Sequence, residues 1–233
     1  MPNHIHNILS VSVRPENVGK IFTEEEYAKM EHRPTTPEEE EAAFFHYIAY
    51  VSEDKLNPNG NPLVLDGTFD FNKIVPMPEN IFRGNLGMAE REKYGKDNWY
   101  DWSLANWGTK WNSYDGEWYW GGKEGNTIQF NTAWSTPEYV YQALAEKFPY
   151  LDFNVKFADE DMGFNCGEFA YDSSVGELGF WEPDGENAGL EFACEVWYDD
   201  TPENVGYKRD KDGFWVYDYG DDAEEDEEED EEE

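Results

Sequence analysis

Residues 127–157 read TIQFNTAWSTPEYVYQALAEKFPYLDFNVKF, and their periodicity decides the fold. Ile128 and Phe130 lie two residues apart and predict a strand over 127–134 with one apolar face. Ser135-Thr136-Pro137-Glu138 has the composition of a helix start, and Val140, Leu144 and Phe148 recur at four-residue spacing until Pro149 ends the helix. Leu151, Phe153, Val155 and Phe157 then alternate with Asp152, Asn154 and Lys156, the period of a half-buried strand. A hairpin partner over 165–171 completes an α+β unit in which a helix covers one face of an antiparallel sheet.

Working towards the start of the chain, Ile5, Asn7, Leu9, Val11 and Val13 alternate with His4, His6, Ile8 and Ser10, which predicts a first strand over 4–13. Thr23-Glu24-Glu25-Glu26 and Thr36-Pro37-Glu38-Glu39 both match a capping box, and Phe44, Ile48 and Val51 share a face, so the second opens a helix over 36–51. The turn formers Asn57-Pro58-Asn59-Gly60-Asn61-Pro62 precede a predicted strand over 69–75. Loop formers and aromatics dominate 76–126, where little regular structure is expected. Strand, helix, strand, strand, helix, strand and hairpin is the split βαβ order of a ferredoxin-like domain.

Towards the end of the chain, aromatic runs at 177–181, 190–198 and 214–219 are separated by Pro183-Asp184-Gly185 and Asp212-Gly213, which predicts an antiparallel meander. The expected organisation is a ferredoxin-like α+β domain over 1–180 with a Trp-rich insertion at 76–126, an acidic β-meander over 181–220 that extends the sheet, and a disordered acidic tail over 221–233.

Charge bounds the function. The chain has 233 residues, 53 acids, 17 bases and a net charge of −36. The tail holds 12 of those acids, and residues 157–207 hold 14 with no Lys or Arg. Such a surface repels nucleic acid and anionic membranes and attracts basic proteins. Direct nucleic-acid binding is therefore disfavoured, because phosphate contacts dominate that affinity. With no long apolar run and no leader-like start, a cytoplasmic protein is expected. Cys166 and Cys194 each sit in a strand-like segment and read as buried small hydrophobes.

Chemistry-bearing motifs are scarce. The sequence has no GxSxG, P-loop or GxGxxG fingerprint. Asp159-Glu160-Asp161 and Asp210-Lys211-Asp212-Gly213 lack the calcium-loop spacing, and His4 with His6 lacks a third ligand. No catalytic residue, metal or cofactor is assigned. What stands out is Trp99, Trp102, Trp107, Trp111, Trp118 and Trp120 within one charge-neutral stretch. These rings either fill a core poor in Leu and Ile, or anchor an interface, or stack on a ligand.

Four further segments carry a resemblance. They are Met1-Pro2-Asn3-His4 with Asn7, the run Phe69-Asp70-Phe71-Asn72-Lys73-Ile74-Val75-Pro76-Met77-Pro78, then Trp107-Gly108-Thr109-Lys110-Trp111-Asn112, and Phe130-Asn131-Thr132-Ala133-Trp134-Ser135-Thr136-Pro137. Together they resemble the Api-like family of phage and plasmid proteins over about residues 1–180. The resemblance implies a ferredoxin-like domain and a mobile-element setting in a bacterial host, and it transfers no catalytic residue.

The expected function is that of an accessory protein that binds a basic host protein, as an acidic nucleic-acid mimic acting on a nucleic-acid-handling or defence complex would. Its expected contacts are Trp99, Trp102, Trp107, Lys110, Trp111, Trp118 and Trp120, with the carboxylates of Asp159, Glu160, Asp161, Glu182, Asp184, Glu186, Asp199 and Asp200. The alternative is an aromatic-lined module for a small ligand or single-stranded nucleic acid. Low-salt and high-salt capture of basic partners, and titration with nucleotides, separate the two.

Overall fold

The computed structural model describes residues 3–49, 68–122 and 125–219. The turn run at 57–62 and the acidic tail lie outside the described residues, as do the side chains of Tyr119, Trp120 and Lys123.

Fourteen regular elements follow in chain order among the described residues: β1 (His4–Ser12), α1 (Glu24–Tyr27), α2 (Pro37–Ile48), α3 (Met88–Tyr94), α4 (Trp99–Asn106), β2 (Tyr114–Gly122), β3 (Gly125–Ala133), α5 (Glu138–Lys147), β4 (Asp152–Asp159), β5 (Cys166–Asp172), β6 (Glu177–Trp181), α6 (Glu186–Tyr198), β7 (Tyr207–Arg209) and β8 (Trp215–Tyr217). The first six strands form one antiparallel sheet in the order β2-β3-β1-β4-β5-β6. Within it, β1-α2-β2-β3-α5-β4 places β3 between β1 and β2, and β1 between β3 and β4, which is the split βαβ arrangement. The β5–β6 hairpin extends the β4 edge.

The alternation of β1 sets the two faces. Ile5, Leu9 and Val11 are buried; Leu9 lies opposite Ile128 of β3 and Val155 of β4, Val11 opposite Phe153 of β4, and Asn7 opposite Phe130 and Phe157. On that face α2 contributes Phe44, Phe45 and Ile48, and α5 contributes Val140, Tyr141 and Leu144, to one continuous core. Asn7 is the polar member of the buried row. Its amide donates to the Ile5 and Phe130 carbonyls and to Thr132, while its oxygen accepts from Thr136 at 2.7 Å and Tyr141 at 3.1 Å. A buried amide is tolerable because each of its groups is satisfied.

Four expectations are corrected. The strand over 69–75 is a bridge at Phe69 followed by a 3-10 turn, Phe71–Lys73, because the Asp70 carboxylate caps the Asn72 N–H at 3.0 Å. The second strand of the ferredoxin-like plan is β2, inside the stretch expected to be irregular, and α3 and α4 also form there, with Asn98 accepting from the Tyr100 and Asp101 N–H groups. Thr136 does not cap α5, since its hydroxyl is spent on Asn7 and no side chain caps that helix.

The fourth correction concerns the meander. Residues 190–198 are helical within α6, and β7 and β8 form a separate two-stranded sheet. α6 packs Phe192, Ala193 and Val196 against Ala158 and Cys166 on the second face of the main sheet. Gly189 permits this closeness: a Cβ there would press into the Gly163 carbonyl. Among the described residues, no helix is long and apolar enough to cross a membrane.

Candidate functional site

Two surfaces gather the residues singled out by sequence. The first is built around Trp134, which follows β3. Its backbone lies at φ 74°, the left-handed region that costs an ordinary L residue about 1–2 kcal/mol. Hydrogen bonds hold it there. The Trp134 N–H donates to the Asn3 carbonyl at 3.0 Å, and its carbonyl accepts from Asn165 Nδ2 at 3.2 Å.

Both asparagines are tied to Asp159, whose carboxylate accepts from Asn3 at 3.1 Å, from Asn165 at 2.9 Å and from the Asp161 N–H at 3.0 Å. Asp159 is thus a buried knot. The neighbouring loop is anchored too: Thr109 donates to the Ala133 carbonyl at 2.9 Å, Ser135 to Gly108 at 2.5 Å, and the Trp107 indole to Val75 at 2.9 Å.

On this platform Trp134 remains 43% exposed. The Lys110 ammonium lies 4.3 Å from the centroid of Trp111 and 4.5 Å from that of Trp134. Tyr100 meets Trp134 edge-on at 6.2 Å, and the Arg91 guanidinium stands 5.3 Å from the Tyr100 ring. The ladder continues from Trp111 to Tyr114 and from Tyr114 to His4, whose Nδ1 lies 2.7 Å from the Tyr114 hydroxyl. Burial, with the Asp115 and Glu160 carboxylates adding to it, pushes the Tyr114 phenol up to about 12.

The second surface is acidic and follows α6. Glu191, Glu195 and Asp199 recur every fourth residue, and with Asp200, Glu203, Arg209 and Trp215 they line one groove of about 520 Å³. Arg209 is engaged: it pairs with Glu191 at 2.8 Å, donates to the Gly213 carbonyl and stacks 4.0 Å from the Trp215 ring centroid. Lys156 pairs with Glu195 at 2.9 Å. At the other end of the helix stand Glu182, Asp184 and Glu186, all exposed. Among the described residues, the carboxylates of Glu182, Asp184, Glu186, Asp199 and Glu203 make no hydrogen bond or ion pair. Beneath them Cys166 and Cys194 are free thiols, pushed up to about 11 chiefly by burial.

The expected contacts divide. Trp107 is buried in the core, where the indole N–H is consumed by Val75, and so offers no surface. Trp102 and Trp118 pack partly buried against the same core, Trp118 on Phe45. Trp99 is half-buried and donates to the Gly84 carbonyl. Trp120 belongs to β2, with its side chain outside the described residues. Lys110 and Trp111 do reach the Trp134 cluster.

Asp159 is withdrawn into its knot, and Glu160 accepts from the His4 N–H at 3.0 Å while Asp161 accepts from Asn3 at 2.7 Å. Glu182, Asp184, Glu186, Asp199 and Asp200 stand along α6. Sequence reasoning missed Trp134 and Trp215, which lay outside the dense run, and Glu191 and Glu195, whose four-residue spacing was the available signal.

Residues 106–188 match a family model described as a ferredoxin-like domain in Api92-like protein. The matched stretch runs from the end of α4 to the first turn of α6, so it contains β2, β3, α5, β4, β5 and β6, and it bears out the resemblance to a ferredoxin-like Api-like domain where it covers two of the four segments, 107–112 and 130–137. No curated protein and no solved structure matches the chain.

Proposed function

From a ferredoxin-like sheet of the Api92-like kind, we propose that this chain is a binding protein for a basic partner, with α6 and its flanks as the docking ridge. The reading adds that it competes with nucleic acid for that partner, as a mobile-element accessory protein acting on a host nucleic-acid-handling or defence complex would.

The observation that carries the reading is the set of unengaged carboxylates at the two ends of a rigid helix, Glu182, Asp184 and Glu186 at one and Asp199 and Glu203 at the other. From Glu186 to Tyr198 the axis runs about 18 Å, and carboxylates stand at both ends and between. Duplex DNA presents about one charge per 1.7 Å, so the ridge is sparser than a duplex yet of the same sign over a comparable length. Asp199 and Asp200 sit at the helix C-terminus, where the macrodipole opposes negative charge by about 0.3–1 kcal/mol each. Asp200 is held there by the Thr201 N–H at 2.8 Å and Asn204 at 2.7 Å, and Asp199 takes the left-handed C-cap with its carboxylate left open to a cation. Trp215 in the groove supplies the aromatic anchor that such interfaces favour.

The test compares the intact chain with a variant carrying Glu182→Gln, Asp184→Asn, Glu186→Gln, Asp199→Asn and Glu203→Gln, the tail unchanged. Basic proteins of a bacterial lysate are expected on the first at low salt, released by high salt or by added duplex DNA, and lost from the second. An identical captured set on both would place the attraction in the tail or nowhere, and the ridge reading would fall.

A further inference from the structure

We infer that the Trp134 cluster is a nucleotide site, in which a planar base lies against the exposed indole and its phosphate is drawn to Lys110 and Arg91. This goes beyond the acidic ridge and uses a different part of the molecule.

Trp134 is a bulky residue in a conformation that such side chains rarely adopt, and its ring is not consumed by the core. Packing therefore does not explain why the backbone is pinned there by Asn3 and Asn165. Outliers of this kind cluster at ligand sites, where the surrounding bonds hold them in place.

The charges point the same way. Although acids outnumber bases 53 to 17 in the chain, Lys110 and Arg91 pair with no carboxylate among the described residues. Both cations lie over rings instead. A cation beside an exposed indole joins base stacking to charge-assisted binding of phosphate.

Beside the cluster opens a cleft of about 470 Å³, lined by Ser135, next to Trp134 in the chain, by Asn165, bonded to it, and by Glu138, Phe157, Phe169 and Phe180. The indole and the two cations stand outside its walls, so the bound base and its phosphate lie on the open surface at its edge. Two cations suit one nucleotide better than a long strand, because further phosphates would meet the acidic remainder of the surface. The nearby carboxylates of Asp159 and Asp161 are turned to Asn3, Asn165 and the Asp161 N–H, and those farther off are screened beyond about 8 Å at physiological ionic strength, which leaves Lys110 and Arg91 as the cations that face the rings.

The test is calorimetric titration of the intact chain with adenosine 5′-monophosphate, adenosine and a ten-residue oligothymidylate. The monophosphate is expected to saturate one site, and adenosine to bind about tenfold more weakly for want of the phosphate. Trp134→Asn tolerates the left-handed backbone, and Lys110→Gln keeps the length of the side chain. Each is expected to weaken the monophosphate about tenfold, with Trp134→Phe recovering part of the loss.

Thermal melts check that the variants fold. Binding of the oligothymidylate more tightly than the monophosphate would assign the same chemistry to a single strand. No saturation by either phosphate ligand, or saturation indifferent to both Trp134→Asn and Lys110→Gln, overturns the proposal.

Discussion

At the residue scale the protein stores its stability in buried polar pairs as much as in rings. Glu40 is fully buried in α2, and its carboxylate accepts from the Tyr27 hydroxyl at 2.8 and 3.0 Å and from the Gly19 N–H at 2.5 Å. Burial first, and the Glu40 charge with it, pushes the Tyr27 phenol from an ordinary 10.0 up to about 12. Tyr114 rises to about 12 by burial, and the wholly buried Tyr141 is raised further by the same cause. In the unfolded chain these phenols release their protons near pH 10, whereas the folded protein holds them. The stabilisation is thus complete below pH 10 and lost as pH climbs through about 12. Thermal melts followed across that window should fall steeply, with a subset of tyrosines ionising only as the fold opens in ultraviolet difference titration. Tyr27→Phe should lower the melting temperature at neutral pH, since Glu40 loses a donor, and make the alkaline decline shallower. A melting temperature flat to pH 12 would refute the account.

At the scale of elements, the sequence was legible where one period dominated. β1, β3, β4 and β5 alternate in twos and α5 in fours, and each forms where that pattern placed it. β2 was hidden because it is an edge strand with register shifts beside Tyr114 and Tyr119, and its run Tyr-Asp-Gly-Glu-Trp-Tyr-Trp-Gly-Gly is rich in the glycines and acids that read as loop. α6 was misread for a different reason. Leu190, Phe192, Cys194 and Val196 alternate with Glu191, Ala193 and Glu195, which mimics a strand, while Ala193 faces the sheet and the exposed stripe is Glu191, Glu195 and Asp199. The position of Trp134 was unreadable because its left-handed backbone depends on Asn3, Asp159 and Asn165, residues brought together only by the fold. α6 also offers a prediction with an unusual sign. Gly→Ala inside a helix ordinarily stabilises by about 1 kcal/mol, but at Gly189 the added methyl would collide with the Gly163 carbonyl, which belongs to backbone and cannot swing aside. Gly189→Ala should therefore destabilise in chemical denaturation and raise protease cleavage around 160–200, with a gain in stability arguing that α6 stands off the sheet.

At the scale of the whole molecule, one quantity acts on folding and on binding in opposite senses. A net charge of −36 repels itself in the compact state more than in the expanded chain. Local devices offset part of this: Glu24 pairs with Arg33, Glu25 with Lys29, and Asp152 and Asp172 share Arg14. These exposed pairs are each worth about 0–1 kcal/mol, too little to cancel an excess of that size. Added salt shortens the Debye length from about 10 Å at 0.1 M to about 3 Å at 1 M, so it removes the long-range repulsion before it weakens pairs already in contact. The melting temperature of the free protein should therefore rise with sodium chloride over that range, while capture of a basic partner by the α6 ridge should fall. Scanning calorimetry and salt-dependent capture on the same preparation check the two signs together. If both rose or both fell, the negative charge would be acting through specific ion binding and not through a screened field, and the ridge would lose its role in drawing a partner from a distance.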